Sequence, residues 1–466
     1  MSGPCTVSLL ALLWVLLCAF PAEGQAGSRH RRTSPRDTTG YQPPGAVWSR
    51  AGVTVEPFYT GAIISNLIGG VQRGRSLHGV ADLVLTADPI PLVGWPGVRF
   101  GLSVVGTHGD DPGALVGDYQ GVSDIAAPAA LRLYELWLQK RLFDDRLSLL
   151  AGIYDVNAAF DVLETAGLFF NGSVGMGPGF ACGGPVGAPT YPCPGLSLLA
   201  RVGLGEEMEL LGMAADGVPG DPHDPERPLY RLGGDEGFLL GSELAWVRGG
   251  DVLGVVPSAA PRARAHRRRS GPHRLRRAGG GGQGVRVRER GAERGTLQYS
   301  KIALGLWRNT SRFPILPAGG GDPLTREGSW GGYLLAERTL GVSRSDPRRA
   351  NSFHLRVGMA DRETEEVDRY ASLGTVASRP MRDTGAQQFG AAVTAARLSR
   401  TGAEVLGVSG EGDRWEVAFE MTWRVEPIRG LALQPDIQYV MNPGFDPVLE
   451  DSLVVGFRVE IVPGER

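Results

Sequence analysis

The sequence predicts an all-β protein that forms a single-chain transmembrane antiparallel β-barrel with long extracellular loops. Apolar and polar residues alternate over segments of about ten residues, and 69 glycines provide for many turns. Strands in globular sheets usually have five or six residues, whereas a tilted strand needs about nine to eleven to cross a bilayer. Beyond the first 24 residues no run of 18 or more residues is apolar, so this chain would cross a membrane as a closed barrel.

The N-terminal residues predict export. Residues 1–24 are interpreted as a signal peptide, because the apolar stretch 7–20 is followed by small and polar residues. Residues 25–48 are polar and basic and are expected to form a flexible leader. The barrel is expected over residues 49–461, and the predicted location is the bacterial cell outer membrane.

The clearest strand pattern lies near the C-terminus, at residues 415–426. Trp415, Val417, Phe419, Met421, Trp423 and Val425 fall on one face, and Glu416, Glu420, Thr422, Arg424 and Glu426 fall on the other. Residues 431–441 and 452–461 repeat this alternation, so three consecutive antiparallel strands are predicted. Further strands are predicted at 53–59, 98–105, 134–140, 147–153, 353–359 and 389–395.

A soluble β-sandwich or propeller would also show alternation, with its apolar face as a core. The strand length favours the membrane barrel, as do Trp415, Trp423 and Tyr439, which lie near strand ends, where aromatic girdles occur. The short turn 143–146 and the long Gly/Pro-rich loop 170–195 fit the contrast between periplasmic turns and outer loops.

The charge pattern has one irregular region. A formal net charge of -2 gives no reason to expect a nucleic-acid partner, and nearly all positive charge is arginine, because Lys140 and Lys301 are the only lysines. Residues 251–294 hold twelve arginines, four consecutive glycines and little strand periodicity. We interpret this segment as disordered, or as the product of a shifted reading frame, that interrupts the barrel. The alternative is a basic loop of the kind that binds nucleic acid or lipopolysaccharide.

Two cysteines remain after the predicted signal. Cys182 and Cys193 stand in an exported Gly/Pro-rich stretch with ten residues between them, which predicts a loop disulfide. No CxxC pair or Cys/His cluster suggests zinc, so no metal is expected.

Several blocks resemble the OprB-type family of carbohydrate-selective porins. They are residues 133–138 (LYELWL), 143–149 (FDDRLSL), 160–173 (FDVLETAGLFFNGS), 328–333 (GSWGGY) and 433–444 (LQPDIQYVMNPG). The similarity spans roughly 50–250 and 295–461, and the arginine-rich run stands where barrel sequence is expected. The resemblance implies about 16 strands and long loops folded inward to narrow the pore. It also implies passive diffusion of glucose and similar sugars, no cofactor and no turnover.

A sugar offers hydroxyl groups and a weakly apolar ring face, so a selective channel should present weak donors, acceptors and an aromatic platform. In the first block, Glu135, Trp137 and Gln139 alternate away from Tyr134, Leu136 and Leu138, which predicts that the first three face the lumen. The loop candidates for the constriction are Asp155, Asn157, Asp161, Glu164 and Asn171. The donor candidates are Arg99 and Arg201, expected on neighbouring strands. For each, the alternative is an ordinary wetted lumen residue, and a register slip would place Trp137 in the outer girdle.

The predicted function is an outer-membrane porin that allows passive diffusion of carbohydrates such as glucose. The expected partners are small sugars, outer-membrane lipid and lipopolysaccharide, with a homo-oligomer allowed. The nearest alternative is a general, non-selective porin. A secreted glycan-binding or glycan-cleaving β-protein is the alternative from another class, since paired carboxylates also occur in glycosidases.

Overall fold

A computed structural model describes residues 48–50, 52–88, 94–220, 236–249, 299–315, 324–342, 349–381, 386–408, 410, 414–428 and 430–462. The predicted signal peptide, all of the predicted leader except its last residue, and the arginine-rich segment 251–294 lie outside the described residues.

Sixteen antiparallel strands form a closed barrel, as the fold prediction required. The strands are β2 (Val53–Ile68), β3 (Gly74–Ala87), β4 (Val98–Gly109), β5 (Ala130–Leu142), β6 (Leu147–Tyr154), β7 (Gly195–Gly203), β8 (Met208–Asp216), β9 (Phe238–Arg248), β10 (Ser300–Ile315), β11 (Leu324–Val342), β12 (Ala350–Ala360), β13 (Val367–Pro380), β14 (Ala386–Leu398), β15 (Trp415–Ile428), β16 (Leu431–Met441) and β17 (Ser452–Ile461). Each strand pairs with the next, and β17 closes the ring on β2. A short strand, β1 (Trp48–Arg50), pairs with the start of β2.

The helical segments are short and lie in connections. They are α1 (Gly113–Val116), α2 (Gly172–Gly175), α3 (Pro178–Ala181) and α4 (Arg400–Leu406), with 3-10 turns at Val156–Ala158, Thr165–Leu168 and Pro443–Phe445. None of the helices in the described part of the chain has the length and apolar character needed to cross a membrane.

In this barrel the apolar side chains point outward and the polar side chains point inward, which is the opposite of a soluble barrel. On β15, Phe419 and Met421 point outward and are 46% and 64% exposed, whereas Glu416 and Glu420 point inward and are buried. The same alternation continues on β16, whose predicted and observed bounds are identical. The apolar face predicted from the sequence therefore meets lipid, and the polar face lines the interior.

The outward apolar belt is limited by charged residues, as β13 shows. Its outward positions run from Arg369 through Leu373, which is 51% exposed, to Arg379 near the other end of the strand. Ten residues of a tilted strand correspond to an apolar band about 25 Å tall.

The arginine-rich segment does not take the place of a barrel strand. It belongs to the connection between β9 and β10, whose residues pair without interruption from Arg248–Ser300 to Leu239–Asn309. Sixteen described strands therefore complete the ring, and none of them includes residues 251–294.

The two ends of the barrel differ. Among the described connections, the end at which β2 begins and β17 ends has short turns at 143–146 and 204–207, and we call it the terminal end. The opposite end, called the loop end, carries the connections 110–129, 155–194, 399–414 and 442–451.

Candidate functional site

Two loops from the loop end fold into the barrel. The inner loop, residues 155–194 between β6 and β7, places Phe160, Phe169 and Phe180 in full burial against the wall. The second loop, residues 110–129 between β4 and β5, buries Val116 and Val122 against β2 and β15–β17. The apolar core of this protein therefore lies between the inward loops and the barrel wall.

Local sequence explains the turns of the inner loop. The Asp155 carboxylate accepts a hydrogen bond from the Asn157 N–H at 2.9 Å and caps a 3-10 turn. Asn171 caps α2 in the same way by accepting from the Ser173 N–H at 3.0 Å. Both residue types are preferred at such caps because their side-chain oxygens satisfy free backbone donors.

Wall glutamates hold the backbone of the loops. Glu420 accepts from the N–H groups of Phe170 and Asn171, at 2.6 and 3.0 Å. Glu337 accepts from the N–H groups of Glu164 and Thr165 in the same fashion. Charge-assisted hydrogen bonds of this kind are stronger than neutral ones, so they fix the loops against the wall.

Glu416 and Glu243 extend this set of anchors. Glu416 accepts from the N–H groups of Tyr119, Gln120 and Gly444, so it ties the second loop to the connection between β16 and β17. Glu243 accepts from the Asp161 N–H at 3.0 Å and pairs with Lys301 at 3.2 Å.

A buried arginine fixes the tip of the inner loop. Arg356 of β12 donates from Nε to Asp161 Oδ1 at 2.8 Å, and both side chains are fully buried. Its other nitrogens donate to the carbonyl oxygens of Asp161, Ser173, Val174 and Gly175. Arg458 of β17 holds the second loop through Asp124 and lies 3.8 Å from the centre of the Phe170 ring. These contacts make the narrowing of the lumen a fixed part of the fold.

The predicted loop candidates fall into two groups. Asp155, Asp161 and Asn171 are buried and hold the loop in shape, and Asp155 also accepts from the Tyr134 hydroxyl. Asn157 and Glu164 are half-buried.

The predicted donors Arg99 and Arg201 face the interior, but they are not on neighbouring strands. Arg99 is on β4 and Arg201 on β7, with β5 and β6 between them. A row of polar residues connects the two arginines. Arg99 is the register partner of Gln139, and the Gln139 amide donates to the Ser148 hydroxyl at 2.9 Å. Ser148 in turn is the register partner of Arg201. Arg201 also forms an ion pair with Glu209 on β8.

The first family block contains a bulge that the alternation did not predict. Ser103 pairs with Glu135 and Val104 with Leu133, so Tyr134 is the extra residue. The prediction that Tyr134 faces away from the lumen is therefore wrong, since it is fully buried inside the barrel. Glu135 and Trp137 do face inward: Trp137 donates to Glu135 at 3.2 Å and packs edge-on against Tyr154.

Cys182 and Cys193, the predicted disulfide pair, are not joined to each other in the structure. Cys182 ends α3 and lies near Tyr119 and the turn between β12 and β13. Cys193 lies near Arg132 of β5. The inner loop carries its two cysteines to different parts of the wall, and a sequence separation of ten residues could not reveal this.

Sequence reasoning missed the wall residues that hold the loops, chiefly Glu243, Glu337 and Arg356. Their signal was a charged residue at an inward position of a strand, which ordinary lumen residues share. Within the described ranges, no cluster of three or more His, Cys, Asp or Glu side chains is placed to hold a metal ion.

The fold and the inward loops define an outer-membrane β-barrel porin, a class of channel whose lumen is narrowed from inside. Known proteins agree. The sequence profile described as "Carbohydrate-selective porin, OprB family" matches residues 79–462, so the chain belongs to this family and is an outer-membrane carbohydrate porin. No curated protein matches the chain by sequence.

Solved structures show the same fold. The high-pH structure of OprB from Pseudomonas putida is 16% identical, with a TM-score of 0.70 over 89% of this chain and 94% of that one. The low-pH structure of the same protein is 13% identical, with a TM-score of 0.50 over 89% and 93%.

Proposed function

We propose that this porin passes glucose and similar neutral monosaccharides down their gradient, and that it acts only as a channel without enzymatic turnover. The proposal depends on the observation that the inner loop is held inside the polar barrel by buried contacts with the wall. A fixed constriction lined by weak donors and acceptors can favour sugars and still release them, because one net hydrogen bond contributes only about 0.5–1.5 kcal/mol.

The proposed sugar contacts include the sequence candidates that remain partly exposed. Asn157, Glu164, Glu135 and Arg201 are half-buried, and Arg99 and Trp137 lie on the inward face of the wall. Asp155, Asp161 and Asn171 act indirectly in this proposal, because they shape the loop that positions the others.

The proposed orientation places the loop end outside the cell, because outer-membrane barrels have short periplasmic turns and long extracellular loops. The outer partners of the belt are then outer-membrane lipid and lipopolysaccharide. The barrel acts alone or as a homo-oligomer in this proposal.

Single-channel current in planar bilayers tests the function. Glucose added to the bath should reduce the current in a concentration-dependent manner, and a neutral solute of similar size without hydroxyl groups should not. Equal effects of both solutes would identify a general porin. A protein that purifies without detergent and opens no channels would contradict the porin itself.

A further inference from the structure

Four residues form a continuous inward row on β2–β5. Phe58 is the register partner of Asp82, Asp82 of Val105, and Val105 of Arg132. Asp82 and Arg132 are thus two strand spacings apart, about 10 Å between Cα atoms, with the small Val105 side chain between them.

Both charged residues of this row have buried polar atoms without a hydrogen-bond partner among the described residues. Arg132 is 7% exposed, and none of its three guanidinium nitrogens has a hydrogen-bond partner among the described residues. Asp82 is 4% exposed; its Oδ1 accepts from Ser103 at 2.7 Å, while Oδ2 has no described partner. A guanidinium stays charged in proteins, and burying it unpaired is costly.

Aromatic side chains adjoin the row. Phe58 and Tyr191 are half-buried and pack against the cluster that contains Val105 and Tyr134. Tyr191 belongs to the inner loop, and its hydroxyl donates to the Ile125 carbonyl at 2.8 Å. Burial raises the pKa of Tyr191. The negative charges of Asp124 and Asp82 raise this pKa further, and the positive charge of Arg132 lowers it. All three charged groups therefore lie close enough to influence the Tyr191 hydroxyl. Asp124 is already paired with Arg458.

We propose that Asp82 and Arg132 form a binding subsite for one neutral sugar ring, with Tyr191 as its aromatic cover. The Asp82 carboxylate accepts from one hydroxyl of the ring, and the Arg132 guanidinium donates to hydroxyls on the opposite side. The apolar face of the ring lies against Tyr191, whose side chain moves to admit the sugar and gives up its bond to Ile125. This subsite rests on the proposed function and assigns a binding role to two residues that the sequence analysis did not select.

The test is glucose block of single-channel current in the wild type and in Asp82→Asn and Arg132→Gln. Each variant should raise the glucose concentration for half-block by about tenfold, since each loses a charged hydrogen-bonding group. Tyr191→Phe keeps the ring and removes the bond to Ile125, so half-block should occur at a concentration about two- to tenfold lower. Arg308→Gln is the matched control, because Arg308 is exposed on the outward face of β10, and it should behave as the wild type.

A structural readout separates binding from folding. The heat-dependent gel shift of each variant reports whether the barrel is closed. Arg132→Met should raise the unfolding temperature without sugar, because it removes an unpaired buried charge. Glucose should raise that temperature in the wild type, in Tyr191→Phe and in Arg308→Gln, but not in Arg132→Met.

Two results overturn the subsite, and they are distinguishable. If glucose blocks the wild type and all variants equally, the subsite is wrong and the sugar channel stands. If glucose fails to block the wild type, the proposed function falls and the subsite with it.

Discussion

The ion pair between Arg356 and Asp161 is the residue contact on which the constriction most depends. Both side chains are fully buried, and Arg356 also donates to four carbonyl groups of the inner loop. Arg356→Met should destabilise the loop by about 3–5 kcal/mol, because it leaves the Asp161 carboxylate buried and unpaired. We expect larger and noisier single-channel conductance.

The double variant Asp161→Asn with Arg356→Met should recover part of the loss, since no lone charge remains. Arg308→Met is the control for the loss of an arginine at an exposed site. A wild-type conductance in Arg356→Met would show that the loop is held by other contacts.

Glu365 should make stability depend on pH. It lies in the turn between β12 and β13 and accepts from the Ser329 hydroxyl, and burial raises its pKa from 4.5 to about 8. The folded protein therefore holds a proton that the unfolded chain releases between about pH 4.5 and 8, so stability should fall as pH rises through this range. Glu365→Gln should flatten that part of the unfolding-temperature profile. The exposed neighbour supplies the control, Glu366→Gln, and an unchanged slope in Glu365→Gln would contradict the assignment.

At the scale of elements, the β9–β10 hairpin should fold without the segment it carries. Arg248 and Ser300 are register partners, and Gly249 has φ of +78°, a value that suits the first position of a two-residue hairpin turn. Deleting residues 250–298 leaves Gly249–Tyr299 as that turn. The barrel should close as before and gain up to about 3 kcal/mol, since each halving of a loop removes about 0.6 kcal/mol of closure entropy.

The gel shift and the glucose block together measure this deletion. Both should match the full chain, and a barrel that no longer closes would mean that the segment is needed for assembly. A deletion within β9 itself is the control and should abolish closure.

The sequence predicted the elements better than the site, for a physical reason. Period-2 alternation marks which side chains meet lipid, so β16 was predicted to the residue and β15 to within two. Alternation cannot tell whether an inward polar side chain meets water or a loop. Asp161 was therefore selected as a constriction residue, although the fold uses it with Arg356 to hold the loop.

Prediction from the sequence is also limited at β5, where one extra residue changes which side chains point into the barrel. Leu133 and Glu135 pair with adjacent residues of β4, so Tyr134 turns inward beside Glu135. Bulges arise from pairing with the neighbouring strand, and a single strand sequence contains no direct sign of them.

At the scale of the whole molecule, the apolar belt predicts how the barrel tolerates charge. Leu373 lies outward near the middle of β13, between the limits set by Arg369 and Arg379. Leu373→Arg should cost about 2–4 kcal/mol in lipid, because a charge at the bilayer midplane has no polar partner. Reversible unfolding in lipid vesicles measures this cost. Leu373→Ala controls for lost volume, and a cost no larger than that of the alanine variant would show that this face does not meet hydrocarbon.

The barrel can close only when β17 pairs with β2. Tyr59 of β2 is the register partner of Ile461 of β17. The edge of β2, the first long strand to be synthesised, therefore obtains these hydrogen-bond partners only after the last strand has been made. Until then the unpaired edge of β2 is a template for pairing with other chains. A cell that makes this protein must keep the nascent chain from aggregating until the final strand arrives, and truncation of that strand should leave an open sheet instead of a smaller channel.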